Sequence, residues 1–286
     1  MSLPLRRVSL RRGRVPSRPS IARASAGPAA SRVLAAVALL AAAAALYGVS
    51  ASPAFALAPG GIDVRGAMLT GEAAVRRALG LDGDLRPNLF VLDTARLAVA
   101  LRTLPTVDGE RPEVVSVRVA LPDRLIVEVR ERTPILVWQV GERRLLVDVE
   151  GVLLVSLPSG ATSALPVLVD QRRDSGRLAV GERLDPVDIA VGRRLGAVTP
   201  ALLGSRASRL TMRLSDDDGF MLLAGSALWR AVFGIYAPSL RGPELVDAQV
   251  QCLASLLAGG EQAIAVAYLY PEGGRCGTFV PKKGAP

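Results

Sequence analysis

The chain has 286 residues and a formal net charge of +9; half of it is hydrophobic, but only 4% is aromatic. It contains no histidine, which excludes serine–histidine and cysteine–histidine nucleophiles and imidazole metal sites. Its lysines are Lys282 and Lys283, so a phosphate-loop or Schiff-base lysine inside a fold is not expected. We therefore expect a non-catalytic protein without metal or cofactor. An enzyme that uses carboxylates alone is the remaining catalytic alternative.

The positive charge is concentrated at the N-terminus. Residues 1–32 carry eight arginines and no acidic residue, whereas the rest of the chain is nearly neutral. A segment of arginines among Ser, Pro and Gly has too few apolar residues to form a hydrophobic core. We therefore predict a disordered cytoplasmic tail over 1–32. The net charge therefore indicates a topological signal and no nucleic-acid partner.

An uncharged apolar run follows this tail. Val33 to Val49 contain Ala, Leu, Val, Gly and Tyr, and the next charged residue after Arg32 is Asp63. Seventeen helical residues reach about 26 Å, and a few more cross the roughly 30 Å core of a bilayer. We predict a transmembrane helix over 33–52. Arg23 and Arg32 would hold the N-terminus in the cytoplasm, which leaves the bulk of the chain outside.

Two alternatives to a membrane anchor remain open. Ala54-Phe55-Ala56 has the A-x-A form of a signal-peptide cleavage site, although the segment before the apolar run is unusually long for one. The arginine-rich, acid-free N-terminus is also typical of an organelle transit peptide, although a spanning run follows it directly.

Residues 60–132 predict a small α+β domain. Ile62 to Val64 form a short strand, Thr70 caps a first helix, and Asp93 caps a second helix that ends before Pro105. Two runs in which apolar and polar residues alternate then indicate strands, the second of them Leu125 to Val129. We expect Pro134 to end the hydrogen-bond ladder of this second strand, because proline has no N–H to donate. The predicted order is β-α-α-β-β.

Residues 133–286 predict a β-rich domain with flanking helices. Asp185 caps one helix, which has Pro186 at its first position and Asp188 in its first turn, and Leu245 to Leu257 form another. The residues alone do not assign the segment that holds Trp229, Phe233 and Tyr236, whose aromatic rings form either part of the core or an adhesive patch. The other predicted strands include Ile135–Val140, a hairpin around Asp216-Asp217-Asp218-Gly219, Ile264–Tyr270 and Cys276–Val280.

Cys252 and Cys276 are too few for a disulfide framework and wrongly spaced for a zinc site. They form one bridge if they face an oxidising compartment, or else they are two buried thiols. The sequence leaves both alternatives open.

Several short motifs follow the arginine-rich tail and the single predicted span. Each motif alone is weak, but their order along the chain indicates a family. Over roughly residues 30–170 the chain resembles a POTRA domain and, more specifically, the extracytoplasmic part of the FtsQ/DivIB family of bacterial cell-division proteins. The residues that carry the resemblance are Ile62-x-Val64-x-Gly66, Asn88-Leu89-Phe90-x-Leu92-Asp93, Leu104-Pro105-x-Val107, Leu121-Pro122-x-x-Leu125-x-Val127-x-Val129-x-Glu131-Arg132-x-Pro134 with Trp138, Leu146-Val147-Asp148-x-x-Gly151 and Leu165-Pro166-Val167-Leu168.

The resemblance implies an α+β protein of the bacterial plasma membrane. It would have one N-terminal transmembrane helix, a POTRA-like β-α-α-β-β domain and a β-rich C-terminal domain. The resemblance also favours a strand over a helix for the segment of Trp229, Phe233 and Tyr236. Its expected role is that of a scaffold of the divisome at the division septum. The C-terminal strands of that family bind the small coiled-coil proteins FtsB and FtsL, which links them to septal peptidoglycan synthesis and its synthases.

By matching position, the resemblance makes Tyr268, Tyr270, Arg275 and Phe279 the candidate partner contacts. A partner would add a strand to an exposed sheet edge near these residues. The alternative for Tyr268 and Phe279 is packing within the last sheet. The alternative function is a POTRA-bearing chaperone or docking module in protein export or outer-membrane assembly. No barrel-sized run of alternating strands follows the POTRA-like domain to support that alternative.

Overall fold

The computed structural model describes residues 28–83, 86–226, 228–239, 241–272 and 275–283, with the backbone alone for 28–30, 271, 272 and 275. The chain divides into two compact units, residues 1–52 and residues 53–286. Most of the predicted tail, including Arg23, lies outside the described residues. The α+β class is confirmed: one N-terminal apolar helix is followed by a β-rich body.

Helix α1 spans Pro28–Ser50, so it begins earlier than predicted and includes Arg32. A proline suits the first turn of a helix, because the N–H that it lacks would have no partner there. Within the helix, Ser31–Ser50 is long and apolar enough to cross a membrane, a test that an N-terminal signal sequence also passes. The side chains of residues 31–49 are exposed, as the lipid-facing surface of a spanning helix would be.

The second unit begins with a three-stranded sheet in the order β1-β3-β2, with β1 parallel and β2 antiparallel to β3. Leu125 and Val127 of β3 are fully buried against Val75 and Leu101 from the two helices, so the alternation along β3 is confirmed. The elements are β1 (Ile62–Arg65), α2 (Glu72–Ala78), α3 (Thr94–Arg102), β2 (Val115–Ala120) and β3 (Arg124–Val129).

The two predicted helix caps in this region have different outcomes. Asp93 caps α3 as predicted, since its carboxylate accepts the Arg96 N–H at 3.0 Å. The prediction that Thr70 caps the first helix is wrong, because Gly71 is the N-cap of α2 and makes no side-chain cap bond. The Thr70 hydroxyl instead donates to the Glu131 carboxylate at 2.6 Å.

A nine-stranded sheet forms the larger part of this unit, in the order β12-β11-β10-β9-β8-β7-β4-β5-β6. Pro134 begins β4, and β3 already ends at Val129, so the prediction that Pro134 ends the β3 ladder is wrong. The first residue of a strand is a position that tolerates proline. The strands are β4 (Pro134–Val140), β5 (Arg143–Asp148), β6 (Leu153–Ser156), β7 (Val167–Asp170), β8 (Thr211–Ser215), β9 (Gly219–Ala224), β10 (Trp229–Gly234), β11 (Ile264–Glu272) and β12 (Arg275–Pro281).

Two helices, α4 (Pro186–Gly196) and α5 (Leu245–Ala258), cover one face of this sheet. Asp185 caps α4 by accepting the Val187 N–H at 2.7 Å, as predicted. The aromatic residues Trp229, Phe233 and Tyr236 are buried in the core beneath the helices and form no surface patch. The strand prediction holds for Trp229 and Phe233, whereas Tyr236 follows the end of β10.

The two sheets meet at a charged junction between β3 and β4. The Glu131 carboxylate accepts the N–H groups of Leu69 and Thr70, both at 2.7 Å, and so fixes the loop before α2. Leu69 itself packs against the nine-stranded sheet, in the cluster of Val137, Leu146 and Leu154.

Arg132, the next residue, contributes to the same junction from the side of the chain opposite to Glu131. Its guanidinium contacts Asp148 at 2.6 Å, Glu150 at 2.9 Å and Asp108 at 3.2 Å. Asp108 belongs to the small sheet's side of the junction, whereas Asp148 is the last residue of β5 and Glu150 follows it, so one cation links both sheets. We call Asp108, Glu131, Arg132, Asp148 and Glu150 the junction cluster.

We expect Arg132→Met to lower the free energy of unfolding by about 3–5 kcal/mol, because it leaves a buried carboxylate without its cation. Arg118→Met is the matched control: the Arg118 side chain is 61% exposed and pairs with Glu128, which is 41% exposed, so its loss should cost about 1 kcal/mol or less. Urea unfolding of the full chain in detergent, followed by tryptophan fluorescence, measures both. Equal losses would show that the junction is no more than a surface ion pair.

Candidate functional site

The sheet ends in a hairpin whose outer strand has a free edge. β11 pairs with β10 in parallel and with β12 antiparallel, and within the described residues β12 has no other strand neighbour. An edge strand presents a row of unpaired N–H and C=O groups that a further strand can engage.

The opposite edge of the sheet differs because it is already covered. The Leu153 N–H of β6 donates to the Glu182 carbonyl at 2.9 Å, and the Gly181 N–H donates to the Leu153 carbonyl at 2.8 Å. The segment that contains Gly181 and Glu182 therefore occupies the outer side of β6. Of the two edges, β12 is the one that no segment covers in the part of the chain that the structure describes.

Helix α5 holds this hairpin against the sheet through a buried amide. Gln249 is fully buried, and its Nε2 donates to the carbonyls of Phe233 at 2.8 Å and Leu269 at 3.0 Å. One side chain thus ties β10 to β11. The Tyr236 hydroxyl contacts Gln249 Oε1, and burial raises the pKa of Tyr236, which keeps the hydroxyl protonated as a donor.

A disulfide fastens the edge strand itself. Cys252 of α5 and Cys276 of β12 are bonded, with their Cα atoms 5.0 Å apart. Of the two alternatives that the sequence leaves open, the structure has the bridge. Because Cys276 lies near the start of the outermost strand, the bridge joins the free edge covalently to the helix layer.

The four predicted contact residues do not form one patch. Tyr268 is partly buried and Tyr270 is 45% exposed, and their spacing of two places them on the same face of β11. Phe279 is 48% exposed, but it pairs with Ala267, a fully buried residue of the helix-covered face. The tyrosines and Phe279 therefore lie on opposite faces of the hairpin. Arg275 opens β12, and its side chain lies outside the described part of the structure.

The sequence reading missed Val280, which is 47% exposed and pairs with Val266. By register Val280 shares the tyrosine face, because Thr278, two residues earlier on the same face of β12, pairs with Tyr268. Finding it requires the register of the hairpin, which shifts between Leu269 and Glu272. The sequence does show an apolar residue in the last predicted strand, but this alone does not tell which face of the sheet the residue occupies.

Gly277 is the residue on which the hairpin register depends. Its φ is +137°, and a Cβ at this position would lie 2.0 Å from the Tyr268 carbonyl oxygen. Only glycine lets the two backbones approach so closely at such a φ.

We expect Gly277→Ala to displace β12 and to lower the free energy of unfolding by about 1–3 kcal/mol, the usual cost of a backbone conformation forced on an unsuitable residue. Gly225→Ala is the matched control, since no atom lies within 4 Å of a Cβ added there. Amide hydrogen exchange of residues 264–281 reports the displacement. Unchanged protection of the hairpin in Gly277→Ala would contradict it.

A carboxylate anchors the chain just before β11. Glu261 accepts the Trp229 indole N–H at 2.7 Å and the Arg206 N–H at 3.0 Å, and the Ser205 hydroxyl also contacts it. Burial alone would raise the pKa of Glu261, but the hydrogen bonds from Ser205, Arg206 and Trp229 outweigh burial and hold this pKa below its usual value.

The depressed pKa gives Glu261 a defined effect on stability. The stabilisation that it provides is present above the pKa of the unfolded chain and is lost as the pH falls through the folded-state pKa. We expect Glu261→Gln to be less stable than the unaltered chain at pH 7, with a difference that shrinks below about pH 4. Urea unfolding at several pH values measures it, and a difference that does not depend on pH would contradict the assignment.

Among the described residues, no group of three or more acidic or cysteine side chains is placed to hold a metal ion. Asp216, Asp217 and Asp218 form the turn between β8 and β9.

A comparison with known protein families finds none that matches the chain. One curated protein is similar in part: the Cell division protein FtsQ of Agrobacterium fabrum (strain C58 / ATCC 33970) is 30% identical over 115 residues. This stretch covers 40% of the chain and 34% of the relative, so the chain matches about a third of that relative's length.

Proposed function

We propose that the protein is a membrane-anchored, non-enzymatic scaffold of the bacterial cell-division machinery. The observation that carries this proposal is the free edge of β12, braced from behind by α5 and flanked by exposed apolar side chains. Similarity to a cell division protein gives the biological context, and the apolar helix α1 gives the means of anchoring.

Binding proceeds by strand addition. A partner strand pairs its N–H and C=O groups with those of β12, and its side chains then alternate between the two faces of the extended sheet. Tyr270 and Val280 receive side chains on one face and Phe279 receives them on the other. The bridge to α5 fixes β12 and the Gln249 bonds fix the neighbouring β11, so the edge is ordered before binding, which lowers the entropic cost of association.

The proposed partners are small coiled-coil membrane proteins of the FtsB and FtsL type, and the proposed place is the plasma membrane at the division septum. The N-terminus lies in the cytoplasm, and the folded unit, with its POTRA-like β-α-α-β-β part, lies outside. By holding these partners the scaffold helps to control septal peptidoglycan synthesis.

In-cell photocrosslinking tests this assignment. A photoreactive residue at Tyr270 should capture a small single-pass coiled-coil protein, whereas the same residue at Leu202, which is 60% exposed in the segment after α4, should not. Capture of export or outer-membrane components at position 270, or equal capture at both positions, would overturn the proposal.

We expect Tyr270→Glu and Phe279→Glu each to weaken binding of the captured partner by about tenfold to a hundredfold, as loss of an aromatic interface anchor commonly does. Leu202→Glu makes the same chemical change away from the edge and should leave the affinity unaltered. Titration of the full chain in detergent against the purified partner gives the three dissociation constants. Near-wild-type values for both edge variants would place the interface elsewhere.

A further inference from the structure

Exposed apolar side chains gather at one end of the three-stranded sheet. Phe90, Val91 and Leu121 are 48%, 78% and 56% exposed. The ring of Phe55 stacks edge-to-face on that of Phe90, with their centroids 4.8 Å apart. We call Phe55, Phe90, Val91 and Leu121 the apolar tip.

Backbone hydrogen bonds hold the parts of the tip together. The Leu89 N–H donates to the Phe55 carbonyl at 2.9 Å, and the Leu57 N–H donates to the Pro87 carbonyl at 3.0 Å. The Ala58 N–H donates to the carbonyl of Asp123, in the turn that follows Leu121, at 3.0 Å. Residues 55–58 therefore connect the loop that carries Phe90 to the turn that carries Leu121.

The buried side chains beneath the tip make it a fixed part of the fold. Leu57 and Leu89 are 4% and 3% exposed and belong to the core of the small sheet. The segment that enters the folded unit is thus immobilised from Phe55 onward, and the exposed tip side chains project from a rigid base.

Chain length alone restricts where this tip can be. Helix α1 ends at Ser50 and Phe55 follows five residues later. An extended chain spans at most about 3.6 Å per residue, so the two residues are no more than about 18 Å apart whatever the orientation of the folded unit. The headgroup layer adds roughly 5–8 Å to each side of the hydrocarbon core. If α1 spans the membrane, the five-residue connection is therefore short enough to let Phe55 reach this layer.

We propose that the apolar tip inserts into the interfacial layer of the membrane beside the anchor, a second contact that rests on the proposed membrane anchoring. Aromatic and aliphatic side chains on a rigid loop suit this layer, which takes up aromatic rings at the headgroup level. Arg86 and Arg124 are exposed close to Phe90 and Leu121 along the chain. Their guanidinium groups complement lipid phosphates.

Nitroxide quenching in vesicles tests the insertion. Val91→Cys in the full chain carries an environment-sensitive fluorophore, attached without reductant so that the native disulfide persists. The chain is reconstituted in phosphatidylcholine–phosphatidylglycerol vesicles that contain a headgroup-level nitroxide lipid. Met68→Cys is the matched control, since Met68 is 93% exposed and follows β1 at the end of that strand remote from the tip.

We expect the loss of fluorescence at position 91 to exceed that at position 68 several-fold, and Leu121→Cys to behave like Val91→Cys. Equal, weak quenching at 91, 121 and 68 would overturn the insertion.

A fluorophore at Leu40→Cys within α1, read with a nitroxide deep in the acyl chains, tests the anchor separately. Quenching at 40 without quenching at 91 and 121 rejects the tip alone, whereas no quenching at 40 rejects the anchor and the tip with it.

Discussion

The relation between the two sheets depends on two consecutive charged residues. Glu131 and Arg132 project to opposite sides of an extended segment, so one holds the loop before α2 and the other gathers carboxylates from both sheets. A guanidinium that is 9% exposed strengthens a fold only while its acids remain beside it, because an unpaired buried charge costs several kcal/mol. The short connection between β3 and β4 thus acts as a rigid joint.

The far end of the large sheet is stabilised by different means. There α5 reaches the outer strands through one buried amide and one covalent bridge. The joint fixes the first strands of the sheet, and the bridge fixes the last. The edge strand β12 therefore has a defined position relative to the small sheet, although five strands separate it from β4.

Local chemistry made part of this structure predictable. The alternation along β3 and the caps at Asp93 and Asp185 depend on neighbours within a few residues, and each formed as expected. Thr70 has equally good local capping chemistry, yet a carboxylate 61 residues away holds it. The face occupied by Phe279 was likewise not predictable from the sequence, because a register shift and Gly277 interrupt the alternation of side chains between the two faces. Contacts distant in sequence decided both outcomes.

The irregularity of the terminal hairpin also limits how many backbone hydrogen bonds its edge can offer to an added strand. Regular pairing between β11 and β12 extends over the four pairs from Val266↔Val280 to Leu269↔Gly277, with a shift at either end. A docked strand that follows this stretch gains only a few backbone hydrogen bonds, each with a net contribution of about 1 kcal/mol. The backbone pairing of the proposed contact is therefore weak, and a strand held by it alone would exchange readily.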